Sequence, residues 1–158
     1  METEMKKNDI VTYGLPIVGV RLVRESTIFE DKRITGPREA AELVKEYMQD
    51  LDREQTAVLN LNAKGGIINV SIISQGTLTE SLINPRELFK SCILSNAAGF
   101  IFFHNHPSGD VTPSSDDFKT TERLRDAGKL LGIKMMDHII VGALNGSYYS
   151  FADEDFEF

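Results

Sequence analysis

His104, Asn105 and His106, followed through Pro107-Ser108-Gly109-Asp110 by Ser114 and Asp117, offer two imidazoles and a carboxylate to one metal ion. The run before them, Phe100-Ile101-Phe102-Phe103, is unbroken and apolar, as in a strand buried on both faces, and the histidines continue from its end. Side chains two apart on a strand share a face, so His104 and His106 can point at one spot. Pro107 withholds an amide donor and Gly109 permits a positive φ, so the chain is expected to leave the sheet there. Ser114 then reads as the N-cap of a helix and Asp117 as its N3 residue, a capping-box arrangement. Thr121, Leu124, Gly128 and Leu131 follow Asp117 in steps of three and four, which sets Asp117 at the head of the inward-facing stripe. Two imidazoles, a carboxylate and one open position describe a catalytic zinc site. Structural zinc is usually closed by four ligands rich in cysteine, and Cys92 is the only cysteine here. Zinc in an open site lowers the pKa of its water to about 7 and polarises a carbonyl, which points to hydrolysis.

The run His104-Asn105-His106-Pro107-Ser108-Gly109, with Ser114 eight and Asp117 eleven residues after His106, resembles the JAMM motif of the MPN metalloprotease superfamily, and within it most closely the RadC family. The resemblance takes in Asp52-Arg53-Glu54, Gly76-Thr77-Leu78, Pro85-Arg86-Glu87-Leu88-Phe89, Asp137-His138-Ile139-Ile140-Val141-Gly142 and Tyr148-Tyr149-Ser150-Phe151, roughly residues 35 to 153. It implies one zinc ion held by His104, His106 and Asp117, with Glu54 shuttling the proton of the attacking water and Ser114 helping to hold the oxyanion. The implied reaction is hydrolysis of an amide or isopeptide bond in a peptide or protein, with no covalent intermediate. RadC proteins also carry a historical label of DNA repair.

Each of these residues has a plainer reading. Glu54, beside Asp52 and Arg53, could be a solvated linker residue, and Ser114 could be a helix cap alone. Glu87 competes with Glu54, but Asn84-Pro85-Arg86-Glu87 reads as a helix start in which Glu87 reaches back as N3. Cys92 falls within that helix near Leu88, Phe89 and Ile93, as a buried inert thiol would. His138, beside Asp137, is expected to be a hydrogen-bonded histidine at the start of the strand Ile139 to Val141 and not a ligand. Asp137 could orient a ligand from behind.

The elements that must position these residues read as strand, helix, two strands, helix, buried strand, helix and two strands. This suggests an α/β fold, a mixed β-sheet with helices on its faces, and matches the three-layer α/β/α core of the family, which zinc deaminases share in kind. An edge strand is expected over Ile17 to Val23, a helix from Pro37 with Ala40, Leu43, Val44, Tyr47, Met48 and Leu51 inward, then a strand from Thr56 to Leu61. Gly65-Gly66 and Asn145-Gly146 read as hairpin turns, before strands Ile67 to Ser74 and Tyr148 to Phe151. The division is an N-terminal extension over 1–34, the RadC-like JAMM/MPN domain over 35–153, and an acidic tail over 154–158 that frays or docks on the other subunit of a homodimer.

A chain of 158 residues with ordinary apolar content fits one domain with a real core. No stretch has membrane-spanning length and no secretory leader is evident, so a cytoplasmic protein with no membrane partner is expected. The net charge of −7, with lysine and arginine dispersed, argues against a nucleic-acid surface. The helix-hairpin-helix-like segment of longer RadC members is expected to be missing, since the chain begins too late for it. HNH nucleases spread their named residues over a ββα motif, and zinc deaminases need a Cys-x-x-Cys beside a His-x-Glu, which does not occur here. The classes in play are a zinc hydrolase of peptide or isopeptide bonds, a metal-dependent nuclease linked to DNA repair, and a non-catalytic scaffold. No loop resembles those that hold ubiquitin in eukaryotic relatives.

Overall fold

The structure, a computed structural model, describes residues 19–25, 33–76 and 83–158. Its elements run α1 (Pro37–Met48), β1 (Gln55–Leu61), β2 (Ile67–Gln75), α2 (Pro85–Leu94), β3 (Gly99–His106), α3 (Ser115–Leu131), β4 (Lys134–Gly142) and β5 (Tyr148–Ser150). The five strands form one sheet in the order β2-β1-β3-β4-β5. Only β3 and β4 are parallel, and α3 makes the crossover that a parallel pair needs. This is the expected three-layer α/β/α arrangement on a mixed sheet.

Strand alternation builds the two cores. Ile101 and Phe103 face α1 with Leu59, Leu61, Ile139 and Val141, while Phe100 and Phe102 face α2 and α3 with Val58, Leu88, Leu124 and Met135. Burying each of these large side chains contributes on the order of 1.5–3 kcal/mol. The histidines inherit the phase of Phe100 and Phe102, which puts them under α3. Gly128 lets that helix lie close, because a Cβ there would meet the Ile133 carbonyl oxygen at 2.5 Å and the Phe100 ring at 3.2 Å.

Several boundaries differ from expectation. Residues 19–25 carry no strand, and Ile17 and Val18 lie outside the described residues. The end of β3 is as expected, for the strand carries both histidines and stops at His106, just before Pro107. β4 begins at Lys134, which places Asp137 and His138 inside a strand. Leu131 leaves the inward stripe of α3 and is 47% exposed, whereas Thr121, Leu124 and Gly128 are buried. Glu87 pairs with Lys90 at 2.6 Å in place of closing a capping box, while Asn84 caps Arg86 alone. The acidic tail does not fray. Phe156 packs edge-on against Phe151, Arg125 lies over the Phe156 ring, and Phe158 joins the α2/α3 core, so two aromatics anchor it on its own domain. Among the described residues, no helix is long and apolar enough to cross a membrane.

Candidate metal centre

The centre lies where β3 ends and α3 begins, the place at which open α/β sheets commonly hold ligands. His104 Nε2 is 3.0 Å from His106 Nε2 and 3.2 Å from Asp117 Oδ1, and His106 Nε2 is 3.9 Å from Asp117 Oδ2. The turn after Pro107 orients His106. With φ +81° at Gly109 the chain reverses, and His106 Nδ1 meets the Asp110 carbonyl oxygen at 2.6 Å. A carbonyl only accepts, so Nδ1 carries the proton and Nε2 presents a lone pair to His104 and Asp117.

Asp117 is both cap and site residue, so the two readings of it are compatible. Its Oδ2 accepts from Ser114 N at 2.7 Å and Ser114 Oγ at 2.8 Å, while Ser114 Oγ accepts from Asp117 N at 3.1 Å. Oδ1 is left to face His104. Burial alone would raise this carboxyl, but the His104 imidazole and the two Ser114 donors outweigh burial and hold it well below the usual carboxylate range. The Ser114 proton is thus spent on Asp117, and the hydroxyl must turn to reach a substrate oxygen.

The donor set fits a cation. Ligand atoms about 2.1 Å from one tetrahedral zinc lie roughly 3.4 Å apart, close to the 3.0 Å and 3.2 Å that separate His104 Nε2 from His106 Nε2 and from Asp117 Oδ1. Opposite His104 in the β1 ladder, Thr56 is 2% exposed and its hydroxyl has no partner among the described residues. A second grouping, His104, Asp117 and His138, also brings three ligand atoms within 4.8 Å of one another. His138, however, approaches His104 from behind, through Nδ1 at 3.0 Å, and its own Nδ1 is 2.6 Å from Thr121 Oγ1. The Nε2 side of His104, where His106 and Asp117 meet, is the better cradle.

Glu54 directly precedes β1, half-buried. The β1/β3 register pairs Thr56 with His104, and one step past Gln55 it sets Glu54 opposite His106, on the face that Val58 shares with Phe102. Asn105 secures that end. Fully buried, it accepts from Gln55 N at 2.7 Å and donates to Arg53 O at 3.0 Å, holding the backbone on both sides of Glu54. Its place between two histidines was the signal available in the sequence, since its phase is opposite to theirs. Cys92 is buried away from the centre, and burial pushes its thiol up to about 12, which removes it as a nucleophile.

Asp137 does not touch the centre. Its carboxylate accepts from His138 N, Ala152 N and Ser150 Oγ, tying β4 to the turn after β5. His138 is the residue that reaches His104, and burial holds its imidazole well below its usual pKa. A cavity of about 720 Å³ lined by Arg33, Arg38, Glu42 and Glu46 opens along α1, on the other side of the sheet. Its solvated, mixed-charge walls bring no reactive groups together, so the histidine cluster remains the candidate.

Residues 34–156 match the RadC-like JAB domain. The chain belongs to that family. A UPF0758 protein of Clostridium acetobutylicum is 44% identical over 126 residues, 80% of this chain and 54% of that protein. One from Desulfitobacterium hafniense is 49% identical over 109 residues, 69% and 48% of the two chains. Another from Staphylococcus haemolyticus is 44% identical over 129 residues, 81% and 56%. The chain spans about half the length of the curated relatives it matches. The RadC-like JAB assignment places it in the JAB/MPN superfamily, with a cluster of histidine and aspartate able to hold a metal ion.

Proposed function

We propose that this RadC-like domain is a zinc-dependent hydrolase of peptide or isopeptide bonds, with His104, His106 and Asp117 as the metal ligands. One observation carries the reading: His104 Nε2 lies 3.0 Å from His106 Nε2 and 3.2 Å from Asp117 Oδ1, bringing two imidazole nitrogens and a carboxylate oxygen together. Zinc held there would polarise a carbonyl and lower the pKa of a bound water to about 7.

The chain's own residues supply the rest. Glu54 accepts a proton from the attacking water and returns it to the leaving amine, a transfer worth typically 10²–10⁴-fold in rate. Asn105 ties the backbone on both sides of Glu54 to β3, which supports Glu54 as the residue at the level of His106. Ser114 turns from Asp117 to donate to the developing oxyanion. The α3 N-terminus favours the ionised Asp117 at its N3 position. A single buried thiol supports a reducing, cytoplasmic setting.

The test compares zinc-loaded wild type with Glu54→Gln against a peptide library and a labelled DNA panel. Peptide cleavage lost in Glu54→Gln, with metal retained, is the expected result. Metal-dependent DNA cleavage lost in the same variant would replace the peptidase reading with a nuclease. Unchanged partner binding in His104→Ala, with no activity in either protein, would reduce the site to a scaffold.

A further inference from the structure

Behind His104 lies a chain of three hydrogen bonds that leads back to the site. Thr121 Oγ1 has one proton, and at 2.7 Å it goes to the main-chain carbonyl of Asp117, which can only accept. Toward His138 Nδ1, 2.6 Å away, the same hydroxyl can therefore only accept, so His138 Nδ1 carries a proton. His138 is fully buried, stacked on Phe151 with ring centroids 4.6 Å apart and tilted against Phe102 at 4.7 Å. No carboxylate is hydrogen-bonded to its ring among the described residues, and Asp117, within 4.8 Å, is engaged by His104 and Ser114, so a charge on the buried ring is disfavoured. The ring is neutral, which leaves Nε2 as an acceptor for His104 Nδ1 at 3.0 Å. His104 is then protonated on Nδ1, which leaves Nε2 as the nitrogen that faces His106 and Asp117 and that a metal would use.

A backbone irregularity makes this possible. Along β3 and β4, Phe100 pairs with Met135 but Ile101 pairs with Asp137, so Met136 is bulged out and half-exposed. Were Met136 paired with Ile101 in an unbulged ladder, Phe103 and not Phe102 would oppose His138, and the imidazole would face α1. Bulges recur beside active sites, where they re-aim a side chain.

We propose that His138 and Thr121 are positioning residues, which fix the tautomer of His104 and so present its Nε2 to the metal. Resting on the metal reading above, the inference requires no particular substrate. In metal-ligating histidines the second ring nitrogen normally donates to a carboxylate, a carbonyl or water, and losing that partner typically costs 10–100-fold in metal affinity. Here the partner is a second imidazole, itself set by a threonine.

Two measurements test it on the full chain. Long-range proton–nitrogen spectra of metal-free protein carrying ¹⁵N-histidine, recorded above neutral pH, should show His104 protonated on Nδ1 in wild type and Thr121→Ser. In Thr121→Val the His138 tautomer is released, and His104 should shift toward Nε2–H. Zinc affinity, measured by chelator competition, should fall about 10–100-fold in Thr121→Val and stay at the wild-type value in Thr121→Ser. His104 without a proton on Nδ1 in wild type would overturn the proposal, as would wild-type affinity in folded Thr121→Val, or Thr121→Ser as weak as the valine variant. A zinc-induced shift of a His138 ring nitrogen to a ligand position would also sink it. Should Thr121→Val fail to fold, the wild-type and Thr121→Ser tautomers still decide. Wild type that binds no zinc would defeat the proposed function, while the metal-free spectra judge the relay on their own.

Discussion

Asp137 and His138 are neighbours on β4, both almost fully buried, and they face opposite sides of the sheet into two differently built polar clusters. On the Asp137 side every acceptor meets a donor: Oδ1 takes His138 N at 2.7 Å and Ala152 N at 3.0 Å, and Oδ2 takes Ser150 Oγ at 2.6 Å. On the other side, the Nε2 atoms of His104 and His106 and Asp117 Oδ1 face one another at 3.0 and 3.2 Å, more acceptors than the protons between them can satisfy. Buried polar groups normally satisfy one another because an unpaired one costs about 1–3 kcal/mol. A cluster that closes on itself contributes stability and holds β5 and the tail in place. A cluster with acceptors to spare is organised for something that arrives, and it adds little to stability until then.

The largest effect separates the two at once. Asp117→Asn or His104→Ala should take the zinc content of purified protein from about one ion per chain to near zero, read by elemental analysis. In metal-free protein, Asp117→Asn should lower the urea midpoint less than Asp137→Ala does, because an asparagine oxygen still accepts from Ser114 N and only the favourable charge toward His104 and the α3 N-terminus is lost. Metal retained in either variant would break the distinction on its functional side.

Asp137→Ala should do the reverse. It strands three donors in a buried site and is expected to cost about 3–5 kcal/mol of unfolding free energy. Zinc affinity of the folded fraction should stay at the wild-type value, since no Asp137 atom contacts the metal cluster. A variant that keeps its stability but loses metal would show that the two sides are one network.

Most of the metal cluster was legible in the sequence because it obeys local periodicity. His104 and His106 keep the two-residue phase of Phe100 and Phe102, and Asp117 follows from the capping box and the three-four stripe of α3. Glu54 needed the family resemblance, since its place opposite His106 is a matter of pairing between strands distant in sequence. His138 is the hydrogen-bonded, non-ligating histidine that the sequence suggests, whereas Asp137, expected behind a ligand, ties β4 to the turn after β5 instead. Alternation back from Ile139 puts Asp137 and His138 on their observed faces, but which strand His138 lies beside, and hence its reach to His104, depends on long-range pairing with β3 that no local pattern announces. The tail was misread for a related reason: its acidic letters suggested solvent, while Phe156 and Phe158 find their partners on α3 and the α2/α3 core. The substrate was never legible, because backbone positions and metal ligands specify a chemistry and not the sequence of what is cut.

A titration sharpens the comparison on the Asp137 side. Burial pushes the Asp137 carboxyl up to about 6 against the pull of its three donors, with Asp153 nearby adding in the same direction. An unfolded aspartate titrates near 3.9, so between the two values the folded chain binds the extra proton. The resulting stability is fully present below about pH 4 and is lost as pH rises through about 6, amounting to about 2–3 kcal/mol. Urea unfolding of wild type and Asp137→Asn across that window should differ by this slope, other carboxylates being common to both. Parallel curves would mean that the three donors already stabilise the ionised form enough to cancel burial.

The smallest effect concerns Asn105, which shares the Asp137 face yet serves the metal side through the backbone. Its amide spans Arg53 O and Gln55 N, so Asn105→Ala frees the end of β1 without touching a ligand. Metal content should stay at the wild-type level while kcat falls about tenfold, a barrier change of about 1.4 kcal/mol, with KM little altered. Asn105→Asp keeps the acceptor for Gln55 N but loses the donor to Arg53 O, and should fall between the two. An unchanged kcat in a folded Asn105→Ala protein would detach Glu54 from β3 and leave Asn105 as a strand clamp, the same kind of self-satisfied group as Asp137. A lowered kcat with metal intact would instead show that satisfied hydrogen bonds on one face of the sheet set the geometry of unsatisfied ones on the other.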